Sequence, residues 1–296
     1  MKAPIIAALL LSAVGFARAA ETASFLDIGV GARGLGMGGA YTALGDDANS
    51  LHWNQAGMAR LEKTEVSASH AELFENTRLD HLTYAHPSAQ GTFGAAFTYL
   101  SQGKIEGRDS AGHPTGGYAA SDSAFDLAYA RKTDVADLGV AVKYIRSHIG
   151  SAEAQTTAFD LGAKNEFGAV VVGAAARNMG PGLKYDDQRN DLPLRLALGV
   201  GYKFSGGHAL AFELTNGPRG TGTDAAFGGE WQPIRNVMLR GGYTTKTTTA
   251  GGSGFDAARG LTLGMGLRNT KWMLDYAILP MGELGRSHRL TLGARF

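Results

Sequence analysis

The sequence contains no cysteine among its 296 residues, which rules out both a disulfide framework and a thiolate metal site. Stability must come from core packing or from a sheet that closes on itself. The chain also lacks an excess of either charge. Its formal net charge is +1, and removing Lys2 and Arg18 with an amino-terminal leader makes it −1, so nothing in the charge balance attracts nucleic acid. Beyond residue 19 no apolar run approaches the ~18 residues of a transmembrane helix. Any crossing of a membrane must therefore use strands.

Several features point to such a crossing. Lys2, an apolar stretch over residues 5–16 and Ala17-Arg18-Ala19 ahead of Ala20 have the layout of a secretory signal peptide cleaved after Ala19. At the other end, Leu290, Leu292, Ala294 and Phe296 alternate with Arg289, Thr291, Gly293 and Arg295. Successive strand side chains point to opposite faces, so one face suits lipid and the other water. A soluble sandwich strand could show the same alternation, but a terminal aromatic is how the closing strand of an outer-membrane barrel reads. Leu290, Leu292 and Phe296 are accordingly expected to form a carboxy-terminal assembly signal read by the barrel-assembly machinery.

From about residue 63 the chain resolves into segments of roughly ten alternating residues, the length a tilted strand needs to cross a bilayer. The clearest runs over residues 194–204, where Leu194, Leu196, Leu198, Val200, Tyr202 and Phe204 alternate with Arg195, Ala197, Gly199, Gly201 and Lys203. The weakest signals lie at residues 65–70, 81–86 and 227–231. Fourteen segments are countable, with twelve or sixteen left open. The expected fold is all-β, a transmembrane antiparallel β-barrel of about 14 strands. Long connections at residues 101–120, 178–191 and 244–255 alternate with short ones at 134–137, 165–166, 205–207 and 269–270. Outer-membrane barrels put long loops outside and short turns in the periplasm. With that orientation Tyr84, Tyr129, Phe204, Trp231, Trp272 and Phe296 fall at the periplasmic rim, and Tyr99, Tyr144 and Tyr243 at the outer rim. An even strand count then places both termini in the periplasm.

Glycine is abundant, 43 of 296, and it recurs closely between the leader and the first strand, where alternation is missing. Gly29, Gly31 and Gly34 fit G-x-G-x-x-G, but no βαβ unit surrounds them, which argues against a dinucleotide site. The organisation expected is a leader over 1–19, a helical plug or hatch over 20–62 and a barrel over 63–296. In the plug, Asp46 or Asp47 is expected to cap a short helix through Ala48, Asn49, Leu51 and Trp53. Asp46, Asp47, Asn49, Trp53 and Asn54 are candidates either for a ligand or for fixing the plug to the wall.

The run from Gly31 to Ala59, Gly-Ala-Arg-Gly-Leu-Gly-Met-Gly-Gly-Ala-Tyr-Thr-Ala-Leu-Gly-Asp-Asp-Ala-Asn-Ser-Leu-His-Trp-Asn-Gln-Ala-Gly-Met-Ala, resembles the amino-terminal signature of the PorV/PorQ family, a branch of the FadL-type long-chain fatty-acid transporter superfamily. The resemblance implies a fourteen-stranded outer-membrane barrel with an amino-terminal plug. FadL-type members move hydrophobic molecules toward a lateral opening, whereas PorV and PorQ proteins serve a protein-secretion machine. Where the family pattern has Asn-Pro-Ala-Gly, this chain has Asn54-Gln55-Ala56-Gly57, which removes a fixed φ and restores a backbone donor.

Inward positions carry Arg195, Lys203, Glu213, Glu230, Arg240 and Asp275, along with Asp126, Lys143, Asp160, Lys164, Arg177, Arg268, Arg289 and Arg295. A basic lumen would favour an anion, although charges inside barrels also pair across strands or solvate a plug. Adjacent residues such as Asp80 and His81, or Ser287 and His288, face opposite sides of a strand and cannot act together. No catalytic residue, metal ligand or cofactor site is expected. The leading expectation is a FadL-like barrel of the outer membrane of a Gram-negative-type cell that passes or binds a hydrophobic or amphipathic molecule, with Gly91 and Gly94 permitting a kink in the wall. The alternative is a PorV/PorQ-like accessory component of a type IX-like secretion machine, and a general pore is a third reading. The partners expected are outer-membrane lipid, a hydrophobic ligand, the barrel-assembly machinery and secretion-system proteins, with no nucleic acid.

Overall fold

The computed structural model describes residues 21–220, 222–246 and 258–296. The leader expected at 1–19 and most of the connection expected at 244–255 lie outside these residues. The strands, in chain order, are β1 (Glu65–Glu72), β2 (Arg78–Ser88), β3 (Gly91–Arg108), β4 (Pro114–Lys132), β5 (Asp137–Ile149), β6 (Ala152–Phe167), β7 (Val170–Met179), β8 (Leu183–Tyr185), β9 (Gln188–Asn190), β10 (Arg195–Lys203), β11 (Ala209–Gly217), β12 (Gly222–Ile234), β13 (Val237–Thr244), β14 (Leu261–Arg268), β15 (Trp272–Pro280) and β16 (Arg286–Arg295). All but β8 and β9 belong to one closed antiparallel barrel of fourteen strands, in which β16 returns to β1. Closure leaves no strand edge unpaired.

Alternation fixes the faces as read from the sequence. On β10, Leu198, Val200 and Tyr202 are exposed outward, while Arg195 and Ala197 are buried inside. The weakly patterned segments are strands as well: β1 and β2 pair with each other and are held between the well-patterned β16 and β3, and β12 lies between β11 and β13. The connections differ in detail. Residues 101–120 are not a free loop: β3 and β4 continue pairing from Lys104↔Ala119 to Arg108↔Pro114 after a register shift, forming a hairpin that projects from the wall. Short turns occupy the other end, and the one expected at 165–166 lies at 168–169, because β6 runs on to Phe167. Residues 178–191 hold the small β8–β9 hairpin, whose Leu183 and the following Leu192 are fully buried with Phe25, Leu26 and Ile145.

The amino-terminal segment fills the lumen with short helical turns at Ser24–Asp27, Ala32–Gly36, Ser50–Trp53 and Gln55–Arg60. Thr22 donates its backbone N–H to Asp191 O (2.9 Å), so the segment begins beside the β9–β10 connection at the outer mouth. It descends through the barrel and emerges beside β1 at the periplasmic end. The expectation that both termini lie in the periplasm therefore fails for the amino-terminal end. That expectation followed the strands and took no account of the direction in which the plug is threaded.

Candidate functional site

Irregular backbone inside a barrel needs partners for its polar groups, and here the wall supplies them. Glu213 accepts from the N–H groups of Tyr41 (2.9 Å) and Thr42 (2.8 Å). Thr262 Oγ1 accepts from Gly38 N (2.9 Å) and donates to Gly36 O (3.2 Å). Thr291 Oγ1 accepts from Ala32 N (2.9 Å), and Lys164 Nζ donates to Gly45 O (2.7 Å). Gln55, which stands where the family pattern has proline, donates through its side chain to Leu51 O (2.8 Å) and Asp160 Oδ2 (2.9 Å). The wall also gives way to the plug where it touches it. A Cβ on Gly228 would lie 2.2 Å from Met37 O, one on Gly173 2.5 Å from Thr42 O, and one on Gly139 2.4 Å from Ala56 N.

At the centre sits Arg33, which is buried. It forks onto Glu230 through Nε and Nη2 (both 3.1 Å), contacts Asp46 and Asp47 through Nη1, and donates to Tyr41 Oη (2.9 Å). Burial alone would lower its pKa, but the carboxylates of Asp46 and Glu230 hold it well above the ordinary arginine value. Arg240 extends the network by pairing with Glu230 (2.7 Å) and Asp275 (2.7 Å). This explains Glu230 as a plug anchor, and Arg240 and Asp275 as wall residues whose ion pairs support it. Arg33 itself was missed as a site residue. Its signal was available, because it is the sole charge between Asp27 and Asp46 in a stretch otherwise free of ions.

The remaining candidates divide. Asp46 and Asp47 do not cap the Ser50–Trp53 helix. Arg33 and Tyr41 draw both carboxylates away, and Asn49, which is the N-cap, makes no side-chain cap bond. Asn49 bonds Ser67 (3.1 Å) and Thr83 (3.2 Å) on the wall. Asn54 donates to Thr42 O (2.8 Å) and Ala163 O (3.0 Å), and caps the next turn by accepting from Ala56 N. Lys203 reaches the periplasmic rim and pairs with Glu166 (2.9 Å). Trp53 donates Nε1 to Val30 O (3.0 Å) and turns its ring toward open space.

That space is a cavity of about 530 Å³ on the outer side of the plug, floored by Leu35, His52 and Trp53 and ringed by Leu73, Phe74 and Leu279. Arg177 and Arg289 line it from the wall, and Arg177 lies over the Trp53 ring (5.6 Å). Arg195 also lines it, bound to Glu21 (2.8 and 2.9 Å) and Asp27 (2.8 Å), and Lys246 closes the latch on Asp27 (2.7 Å). Burial raises the Asp27 pKa, but Lys246 and Arg195 outweigh it and hold the carboxyl below its usual value. The kink expected at Gly91 and Gly94 is absent. Pairing of β2 with β3 is continuous from Arg78↔Ser101 to Ser88↔Gly91, and Leu51 and Met58 of the plug fill the space beside Gly94.

Comparison with known proteins bears on this architecture. The family model described as "Type IX secretion system protein PorV" matches residues 17–209. No curated protein sequence matches the chain. Among solved structures, the toluene transporter TodX of Pseudomonas putida superposes with a TM-score of 0.63 at 13% identity, over 90% of this chain and 96% of that one. The toluene transporter TbuX of Ralstonia pickettii gives 0.62 at 13%, over 90% and 97%. A FadL homologue of Pseudomonas aeruginosa gives 0.60 at 12%, over 90% and 98%. At such identities the likeness establishes a shared FadL-like outer-membrane barrel fold.

Proposed function

Because the chain belongs to the PorV family of type IX secretion system proteins, we propose that it serves protein export as a sealed outer-membrane barrel and interaction partner, with no catalytic role. One observation carries this reading: the plug backbone is seated directly against Gly139, Gly173 and Gly228 on three strands of the wall, with no room for a Cβ at any of them. A sealed barrel acts through its surfaces. The projecting β3–β4 hairpin, with Tyr118 exposed near its base, is the surface offered to cargo or to other secretion components. Residues 1–19 act as a cleaved leader that delivers the chain to the periplasm, where the barrel-assembly machinery reads Leu290, Leu292 and Phe296 and inserts it among outer-membrane lipids. Replacing residues 103–118 by a tight turn tests the reading. The barrel should still assemble, judged by heat-modifiable migration in gels, while surface display of a secreted cargo falls. Unchanged display would overturn it.

The cavity favours a second reading, the binding of a small amphipathic molecule. Leu35, Leu73, Phe74 and Trp53 offer apolar contact, and Arg177 and Arg289 offer positive charge. The similarly folded TodX and TbuX are described as toluene transporters. Native mass spectrometry of protein taken from outer membranes should then find a bound molecule that is lost in Trp53→Ala.

A further inference from the structure

A buried guanidinium without acceptors is costly, and an arginine inside a membrane-spanning wall is kept where something meets its charge. Two of the cations around the outer cavity are met at its mouth, where Glu21 and Asp27 hold Arg195 and Asp27 holds Lys246. Arg177 and Arg289 are not met. They are 8% and 7% exposed, the Nε–H of each is buried without an acceptor, and neither has a hydrogen bond or ion pair among the described residues.

Their surroundings hold nothing in reserve for them. The Trp53 ring beneath Arg177 (5.6 Å) supplies a π-face but no lone pair, and the residue paired with Arg177 across the strands is another cation, Arg195. Glu213 lines the cavity, but it already accepts from Tyr41 N, Thr42 N and Thr215 Oγ1 (3.2 Å). Asp224 shares the mouth with Lys246 and Arg195.

The two arginines also stand on opposite walls. β7 and β16 are seven strands apart in the ring of fourteen, and Arg177 and Arg289 lie two and three residues from the outer ends of their strands. Fourteen strands about 4.8 Å apart and tilted by ~40° make a ring about 28 Å across, and an arginine reaches about 7 Å into it, which leaves about 14 Å between the guanidiniums. One carboxylate or phosphate cannot touch both. We propose that the cavity binds an elongated dianion, two carboxylate or phosphate groups joined by a short apolar spacer, with one group on Arg177, the other on Arg289, and the spacer over Leu35 and Trp53. Each guanidinium then gains the paired, charge-assisted hydrogen bonds that its fork is shaped for. A neutral hydrocarbon would leave both arginines without an acceptor, and a monoanion would leave one. The proposal rests on the small-molecule reading of the cavity and names the chemistry of its ligand.

Calorimetric titration of the protein in lipid nanodiscs tests it, with α,ω-dicarboxylates from succinate to dodecanedioate, the matching α,ω-bisphosphonates, and monocarboxylates of the same lengths. The preference for a diacid over the monoacid of equal length should reach at least ~10-fold near adipate or suberate and fade toward both ends of the series. Arg177→Gln and Arg289→Gln should each bring the favoured diacid down to the affinity of its monoacid. Both variants should assemble and resist denaturant at least as well as the parent, because each loses a buried charge that had no partner. The length profile of the parent decides the matter without them. Equal affinity for diacids and monoacids, a preference independent of spacer length, or loss in neither variant would each overturn the proposal. If no member of these series binds while native mass spectrometry finds some other bound molecule, the dianion site is wrong and the small-molecule reading stands. If diacids bind with the expected optimum but nothing co-purifies from outer membranes, the site stands and the small-molecule reading fails as a function of the protein.

Discussion

A missing side chain has opposite consequences on the two faces of this wall. Gly228 points inward, and a Cβ there would lie 2.2 Å from Met37 O, whereas Gly241 points outward and has nothing within 4 Å. Gly228→Val should therefore destabilise the protein by ~1–3 kcal/mol through overpacking, and Gly241→Val should stay within about 0.5 kcal/mol of the parent. Urea unfolding in a fixed lipid composition measures both. Asp27 gives a second residue-scale test. Its folded pKa lies below the ordinary 3.8, so the latch to Lys246 and Arg195 contributes fully above that value and is lost as pH falls through the lower folded value. Hydrogen exchange over residues 22–28, corrected for intrinsic rates, should be flat from neutral pH down to about 5 and accelerate only in stronger acid. Acceleration at pH 6 would contradict the assigned pairing.

The plug is the element on which the sealed state depends. It is too short in its helices to be stable alone, and it is ordered by the wall donors and acceptors that meet it. Arg33 ties the plug's own Asp46 and Asp47 to Glu230 of β12, with Arg33 and Asp47 side chains 10% and 4% exposed. Arg33→Met would strand buried carboxylates without their cation, at a cost of ~3–5 kcal/mol. The parent should be silent in planar-bilayer recordings, and the variant should show transient openings as the plug loosens. Silence in both would mean that the glycine seats hold the plug without Arg33. The same element shows where sequence reading stopped. The helical turns and their glycine-rich spacing were legible, but the wall partner of Arg33 was not, because Glu230 lies 197 residues away and only barrel closure brings the two together.

At the scale of the whole molecule, β16 closes the barrel by pairing with β1 from Glu65↔Arg295 to Glu72↔His288, and Phe296 N donates to Thr64 O (3.0 Å). The Phe296 side chain is 73% exposed, so it adds little to the packing of the finished barrel. Phe296→Ala should lower the amount of barrel assembled in cells while leaving the stability of refolded protein within about 0.5 kcal/mol. Equal loss in both would make Phe296 a structural residue and not an assembly signal.

Alternation with a period of two is a local property of the chain. The sequence alone therefore determined the barrel, the lipid and lumen faces of its strands and the presence of a glycine-rich plug, while closure of the sheet fixed the strand number at fourteen. Lengths of connections were less legible, because pairing of β3 with β4 beyond Ser101 depends on two segments finding each other and not on either pattern alone. Only the tertiary structure decided that the amino-terminal segment enters from the outer mouth, that Glu213 and Glu230 hold the plug, and that Gly94 is filled and not kinked. Each of these is a contact between residues far apart in the chain. Periodicity says which way a side chain points, and closure of the sheet says what it meets.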